Sequence, residues 1–149
     1  MGSRVGAWIV IVFGAIFFIA GVATYVVVST TLSSENITVS EDAAMFAGQH
    51  VDQPWEAYAE ANVIDKHADE LAGGKTYAEL PRNDPNRTTV MNASFLQASL
   101  FTSVVAFGVA VMAAVLGVLL VIIGLAIRPM SSTPRATTPA PAEATGSTA

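Results

Sequence analysis

The chain contains no cysteine, which excludes disulfides, thiolate catalysis and Cys-ligated metal in any compartment. Charge is scarce as well. Only 13% of the 149 residues are charged, and none lies between Arg4 and Glu35 or between Arg87 and Arg128. Those two stretches also lack histidine, so an ion path, proton relay or charged-substrate transporter would be without the groups it needs. Bases are few. Seven Lys and Arg face twelve Asp and Glu for a net charge of −5, and the acids concentrate in the middle. Eleven of the twelve fall from Glu35 through Asp84, against Lys66, Lys75, Arg82 and Arg87. A surface of that sign excludes nucleic acid as a partner.

What the chain does have is apolar length. Hydrophobic residues make up 52% of it, mostly in residues 5–32 and 95–127, each longer than the ~20 residues that span a bilayer core as helix. The expected fold is an all-α membrane protein: an antiparallel two-helix transmembrane hairpin with a small extracytoplasmic helical cap and a disordered C-terminal tail. The organisation reads as a first transmembrane helix (1–32), an acidic cap (33–92), a long stalk with the second transmembrane helix (93–127) and a Pro/Ala/Thr tail (128–149). A cap of ~60 residues is too short to bury a large independent core. Lipid is the first expected partner.

Arg4 precedes the first span, Arg128 and Arg135 follow the second, and residues 33–50 contain no Lys or Arg. By the positive-inside rule both termini are expected in the cytoplasm and the middle segment outside, in a plasma (inner) membrane. Gly21-Val22-Ala23 resembles a cleavage site, but the apolar run continues through Tyr25-Val26-Val27-Val28 and exceeds a signal peptide's h-region, so an uncleaved anchor is expected. Trp8 and Tyr25 suit the two interfacial belts.

Within the cap, Ile37-Thr38-Val39 is β-prone but too short for a strand, and residues 40–46 read as a short turn ended by Gly48. Asp52 or Gln53, then Pro54 and Glu56, open a helix that Gly73-Gly74 stops. Ala57, Ala61, Ile64, Ala68 and Leu71 fall on one of its faces. Thr76 to Glu79 matches a capping box that Pro81 cuts to one turn. The second long helix is expected to begin near Thr89 or Asn92. Its polar first part, with Gln97, Ser99, Thr102 and Ser103, should stand above the bilayer.

The spans share a finer pattern. Ala7, Gly14 and Gly21 recur every seven residues, as do Ala110, Gly117 and Gly124. Pairing Ala7 with Gly124, Gly14 with Gly117 and Gly21 with Ala110 keeps the index sum at 131, which is what a fixed antiparallel register requires. Small residues let backbones approach, and close packing is what associates helices in lipid.

Three fragments invite chemistry. Gly73-Gly74-Lys75-Thr76 ends like a phosphate loop, but Asp69 stands where the motif's first glycine belongs, so a helix stop is the reading. His50, Asp52 and His67 have the composition of a two-His, one-carboxylate metal site, yet in a loop and on an acidic helix they read as solvated residues. Asn36, Asn86 and Asn92 each open a glycosylation sequon.

Gly73-Gly74-Lys75-Thr76-Tyr77-Ala78-Glu79-Leu80, the run from Asn92 to Ala110 and the two spans resemble a family of small two-helix actinobacterial membrane proteins, often labelled aromatic ring-opening dioxygenases. The resemblance covers residues 1 to about 127 and implies the membrane architecture. Ring cleavage requires a metal cage and an enclosed aromatic pocket, which this reading of the residues does not assemble. The expectation is a non-enzymatic two-pass protein without a cofactor. It would act as an accessory or scaffolding subunit of a larger envelope or respiratory assembly, through a membrane-protein partner or self-association at Trp55, Tyr58 and Ile64. The alternatives are a metal-dependent oxygenase using His50, Asp52 and His67, or a homo-oligomeric channel.

Overall fold

The computed structural model describes residues 2–130, and the side chains of residues 4–128. Of the tail expected to be disordered, residues 128–130 continue the last helix, while Arg135 and the rest lie outside the described residues. Three helices make up the described chain: α1 (Gly2–Ser34), α2 (Pro54–Ala72) and α3 (Arg87–Met130). Both α1 and α3 are long and apolar enough to cross a membrane. Apolar residues cover every side of residues 5–28 of the first and 104–127 of the last and leave no polar face to turn to water.

The two long helices pack antiparallel, and α2 packs on α3. Along α1·α3 the backbones come unusually close. A methyl group placed on Gly14 would lie 2.7 Å from the carbonyl oxygen of Gly117, and one on Gly21 would lie 2.5 Å from that of Ala110. At Gly124 the corresponding distance to the Ala7 oxygen is 3.0 Å. Ala7 and Ala110 are themselves buried. Such closeness leaves room for hydrogen alone at Gly14 and Gly21 and for a methyl at Ala7 and Ala110, and it multiplies the dispersion contacts that hold helices together without help from water.

The cap is built on the upper part of this pair. Its helix, α2, is capped by Gln53 and starts at Pro54, where a missing N–H costs nothing. Glu56 reaches back to accept from the backbone N–H of Gln53 (2.9 Å) and of Asp52 (3.2 Å), satisfying donors that the helix start leaves open. Gly73 ends α2 in the left-handed region, φ +63°, and the backbone N–H groups of Gly73 and Gly74 bond back to the Glu70 and Asp69 carbonyls. Only glycine takes that conformation at little cost. Tyr58 meets Phe101 edge-on at 5.8 Å, and Asn86 donates to the Leu71 carbonyl (3.0 Å). These two contacts run in opposite directions along the helices, so α2 is antiparallel to α3.

Several elements depart from the sequence expectation. Residues 37–51 fold back as a minimal antiparallel pair, with a bridge between Thr38 and His50. Val39 N–H donates to the Gln49 carbonyl (2.8 Å) and Val51 N–H to that of Ile37 (2.9 Å). The short β-prone run finds its partner twelve residues on, across the expected turn that Gly48 ends, and that pairing is what local propensity does not show. The third helix starts at Arg87, ahead of Thr89 or Asn92. Arg87 lies over the Tyr77 ring at 4.1 Å and donates to the carbonyls of Tyr77 and Leu80, which secures the first turn from outside. Thr76 and Glu79 do pair, but they close a turn and not a helix.

The cap core joins Leu32 of α1, Val39 and Val51 of the β pair, Ala57 and Ala61 of α2, and Leu100 and Phe107 of α3. Val39 and Val51 are almost wholly buried, each contributing about 1.5–3 kcal/mol. A smaller cluster of Ala72, Leu80 and Val90 closes the far end.

Candidate functional site

Two buried acids organise the cap. Glu60 accepts from the backbone N–H of Ser40 (2.7 Å) and from its hydroxyl (3.1 Å), which ties the β pair to α2. Glu56, besides its two backbone partners, accepts from the Trp55 indole N–H (3.1 Å). Both carboxylates are buried and hydrogen-bonded, as burial of such groups demands. Their side of α2 also holds Val63, and α2 is therefore turned from the expected apolar face. Ala57 and Ala61 are buried, Ile64 is half-buried against the core, and Leu71 is 50% exposed.

A second joint links cap to hairpin. Tyr25 donates its hydroxyl to Gln53 (2.5 Å), and its ring meets Phe107 edge-on at 4.8 Å. This joint sits one turn above Gly21 and Ala110, where the close seam ends. At the opposite end of the hairpin Arg128 lies over the Trp8 ring at 4.8 Å.

The structure parts the residues weighed as metal ligands. His50 Nε2 donates to the Ser33 carbonyl (3.1 Å), with the Ser33 hydroxyl 3.3 Å away. His67 Nε2 donates to Asp42 (2.8 Å), and the Lys66 ammonium stands 3.4 Å from the same oxygen. Among the described residues no three His, Asp or Glu side chains converge as ligands would. Asp42 is held below its ordinary carboxyl value, chiefly by the hydrogen bond from His67. Glu79 is lowered likewise, first by the Thr76 backbone N–H and then by the Thr76 hydroxyl. On the stalk, Ser94, Thr102 and Ser103 turn their hydroxyls onto carbonyls of their own helix, those of Val90, Ala98 and Ser99.

The surface expected at Trp55, Tyr58 and Ile64 divides. Ile64 folds inward, whereas Trp55 and Tyr58 are about half exposed. Together with Met45, Phe46 and Val63 they line a groove of about 590 Å³ between α2 and the turn of the β pair, and Asp42 and Lys66 stand at one end of it. Phe46 enters this wall with φ +63°, a left-handed conformation that is uncommon for a bulky residue. Nothing periodic in the sequence marks the groove, because four of its eleven lining residues come from a turn. Glu60, and the burial though not the capping role of Glu56, are equally hidden, since charge normally reads as surface.

Comparison with protein-family models, with curated proteins and with solved structures finds no match.

Proposed function

We propose that this chain is a non-enzymatic two-pass membrane protein whose hairpin holds the cap outside the membrane as an accessory or scaffolding subunit of a larger membrane assembly. The observation that carries the reading is the exterior of the hairpin. Val5, Ile9, Phe13, Ile16 and Ile19 on α1, and Val109, Met112, Leu119 and Ile123 on α3, are all about half exposed or more. A soluble protein rarely leaves so large a contiguous apolar surface uncovered. Lipid covers it without cost.

The span fits a bilayer. From Trp8 to Tyr25 is seventeen helical steps, about 26 Å at 1.5 Å each, close to the ~30 Å hydrocarbon core. Aromatic residues at both ends suit the interfaces, and Arg4 and Arg128 at one end favour cytoplasmic termini. Phe95 and Leu96 support the accessory role. They are 66% and 55% exposed, yet stand twelve and eleven residues above Phe107, about 18 Å beyond the interface. Water covers such a pair poorly, and a neighbouring protein would cover it well.

Reporter fusions test the topology. A cytoplasm-only reporter at the C-terminus and a periplasm-only reporter after Gly73 should both be active, and activity of the reverse pair overturns it. A photocrosslinking residue at position 95 should join the chain to one discrete partner in native membranes. Crosslinks to lipid or to no protein would overturn the accessory role.

A further inference from the structure

The groove beside α2 has a built character that the rest of the cap surface lacks. Trp55 and Tyr58 form its wall on the helix, and Met45 (63% exposed) and Phe46 form the opposite wall. The Trp55 indole N–H is already bonded to Glu56, so the ring offers the groove only apolar surface. Tyr58 is seated against Phe101. Phe46 holds a left-handed backbone, strain of a kind found at ligand sites. A volume of about 590 Å³ lies within the range of pockets that enclose small ligands.

Position and charge narrow the occupant. The Trp55 end lies beside Gln53, which is bonded to Tyr25 one turn beyond Gly21, so the groove opens level with the aromatic residue that suits the membrane interface. From there to Lys66 is eleven residues of α2, about 16 Å. At that upper end the half-exposed Asp42 and Lys66 present one negative and one positive group 3.4 Å apart, and His67 shares the same carboxylate oxygen at 2.8 Å. The surrounding cap is acidic, with eleven acids against four bases, and repels an anionic head.

Resting on the membrane reading above, we infer that the groove binds a single long-chain amphiphile of the outer leaflet whose head is zwitterionic. The head pairs with Asp42 and Lys66, and the chain runs down past Tyr58 and Trp55 toward the bilayer.

The test uses the full chain in nanodiscs with trace lysophosphatidylcholine carrying a diazirine in its tail. After irradiation, label should appear on the peptides holding Met45 and Phe46 and on those holding residues 55–63. It should saturate, and unlabelled lysophosphatidylcholine should compete while anionic lysophosphatidylglycerol does not. Ala59→Phe and Asn62→Phe, which fill the groove from its α2 wall, should each lose the saturable cap label while the spans stay labelled. Cap labelling that does not saturate, that survives both variants, or that the anionic lipid removes equally well overturns the proposal. Spans that take no label at all would instead overturn the membrane reading.

Discussion

Adding one methyl group at Gly14 or Gly21 should destabilise the hairpin, and the geometry sets the size of the effect. A Cβ at Gly14 would sit 2.7 Å from the Gly117 oxygen and 2.8 Å from the Val121 nitrogen. At Gly21 it would sit 2.5 Å from the Ala110 oxygen and 2.6 Å from the Ala114 nitrogen. Ordinary contact begins near 3.4 Å, so the deficits against the oxygens are 3.4 − 2.7 = 0.7 Å and 3.4 − 2.5 = 0.9 Å. All four obstructing atoms are backbone, and no rotamer change relieves them. The helices must separate, and a gap of 0.5–1 Å forfeits about a quarter to a half of each dispersion contact along the seam. Overpacking of this kind costs about 1–3 kcal/mol. Gly108 is the control, since a Cβ there meets nothing within 4 Å. Gly108→Ala should be neutral or slightly favourable, by up to about 1 kcal/mol of helix propensity. SDS titration of the detergent-solubilised protein, followed by the fluorescence of Trp8 beside Arg128, measures the difference. Gly14→Ala and Gly21→Ala should unfold at lower SDS than the parent. If both hold the parental midpoint, the backbones do not meet at these glycines and the reasoning fails.

Other substitutions probe the cap. Glu60→Ala removes the acceptor of both Ser40 bonds and should lower cap stability by about 1–3 kcal/mol, because the Ser40 N–H is left unpaired; thermal melts by circular dichroism check this, and a change below about 0.5 kcal/mol would mean that solvent replaces the carboxylate. Tyr25→Phe keeps the contact with Phe107 and loses the bond to Gln53, an expected cost of about 0.5–1.5 kcal/mol; hydrogen exchange should rise at the first turn of α2, and unchanged exchange there would remove the joint. The Asp42 carboxyl is lowered in the folded state, so its contribution is fully present above the ordinary value of 3.8 and is lost as pH falls through the lowered one. The melting difference between the parent and Asp42→Asn should therefore hold at neutral pH and close below that point, and a difference that persists in strong acid would assign it to something other than this charge. His50→Ala removes an exposed bond to Ser33 and should shift stability by about 0.5 kcal/mol or less; a large loss in the same melts would show that the histidine braces the β pair against α1.

Much of the architecture is legible in the chain because it depends on local composition. Two uncharged runs of sufficient length determine two long apolar helices, whatever the rest of the fold does. Gln53, Pro54, Glu56 and Gly73 delimit α2 through bonds made within four residues of each end. The seven-residue spacing of small side chains is likewise written in each span, and the backbones meet at Gly14 with Gly117 and at Gly21 with Ala110. Other features arise only from contacts between distant segments. Ser40 selects which face of α2 turns inward by offering two donors to Glu60, twenty residues away; apolar periodicity is blind to a buried carboxylate and so favours Leu71, which stays half exposed. The turn at residues 40–48 is legible, but the bridge from Thr38 to His50 across it, with non-glycine Phe46 at positive φ, is not. That same bridge places His50 against Ser33, while Asp42 draws His67 elsewhere, so two histidines that composition associates are held apart. The groove is likewise a product of the tertiary fold, because its walls are a helix and a turn brought together by the burial of Val39 and Val51, and no single segment of the sequence encodes a space between two others.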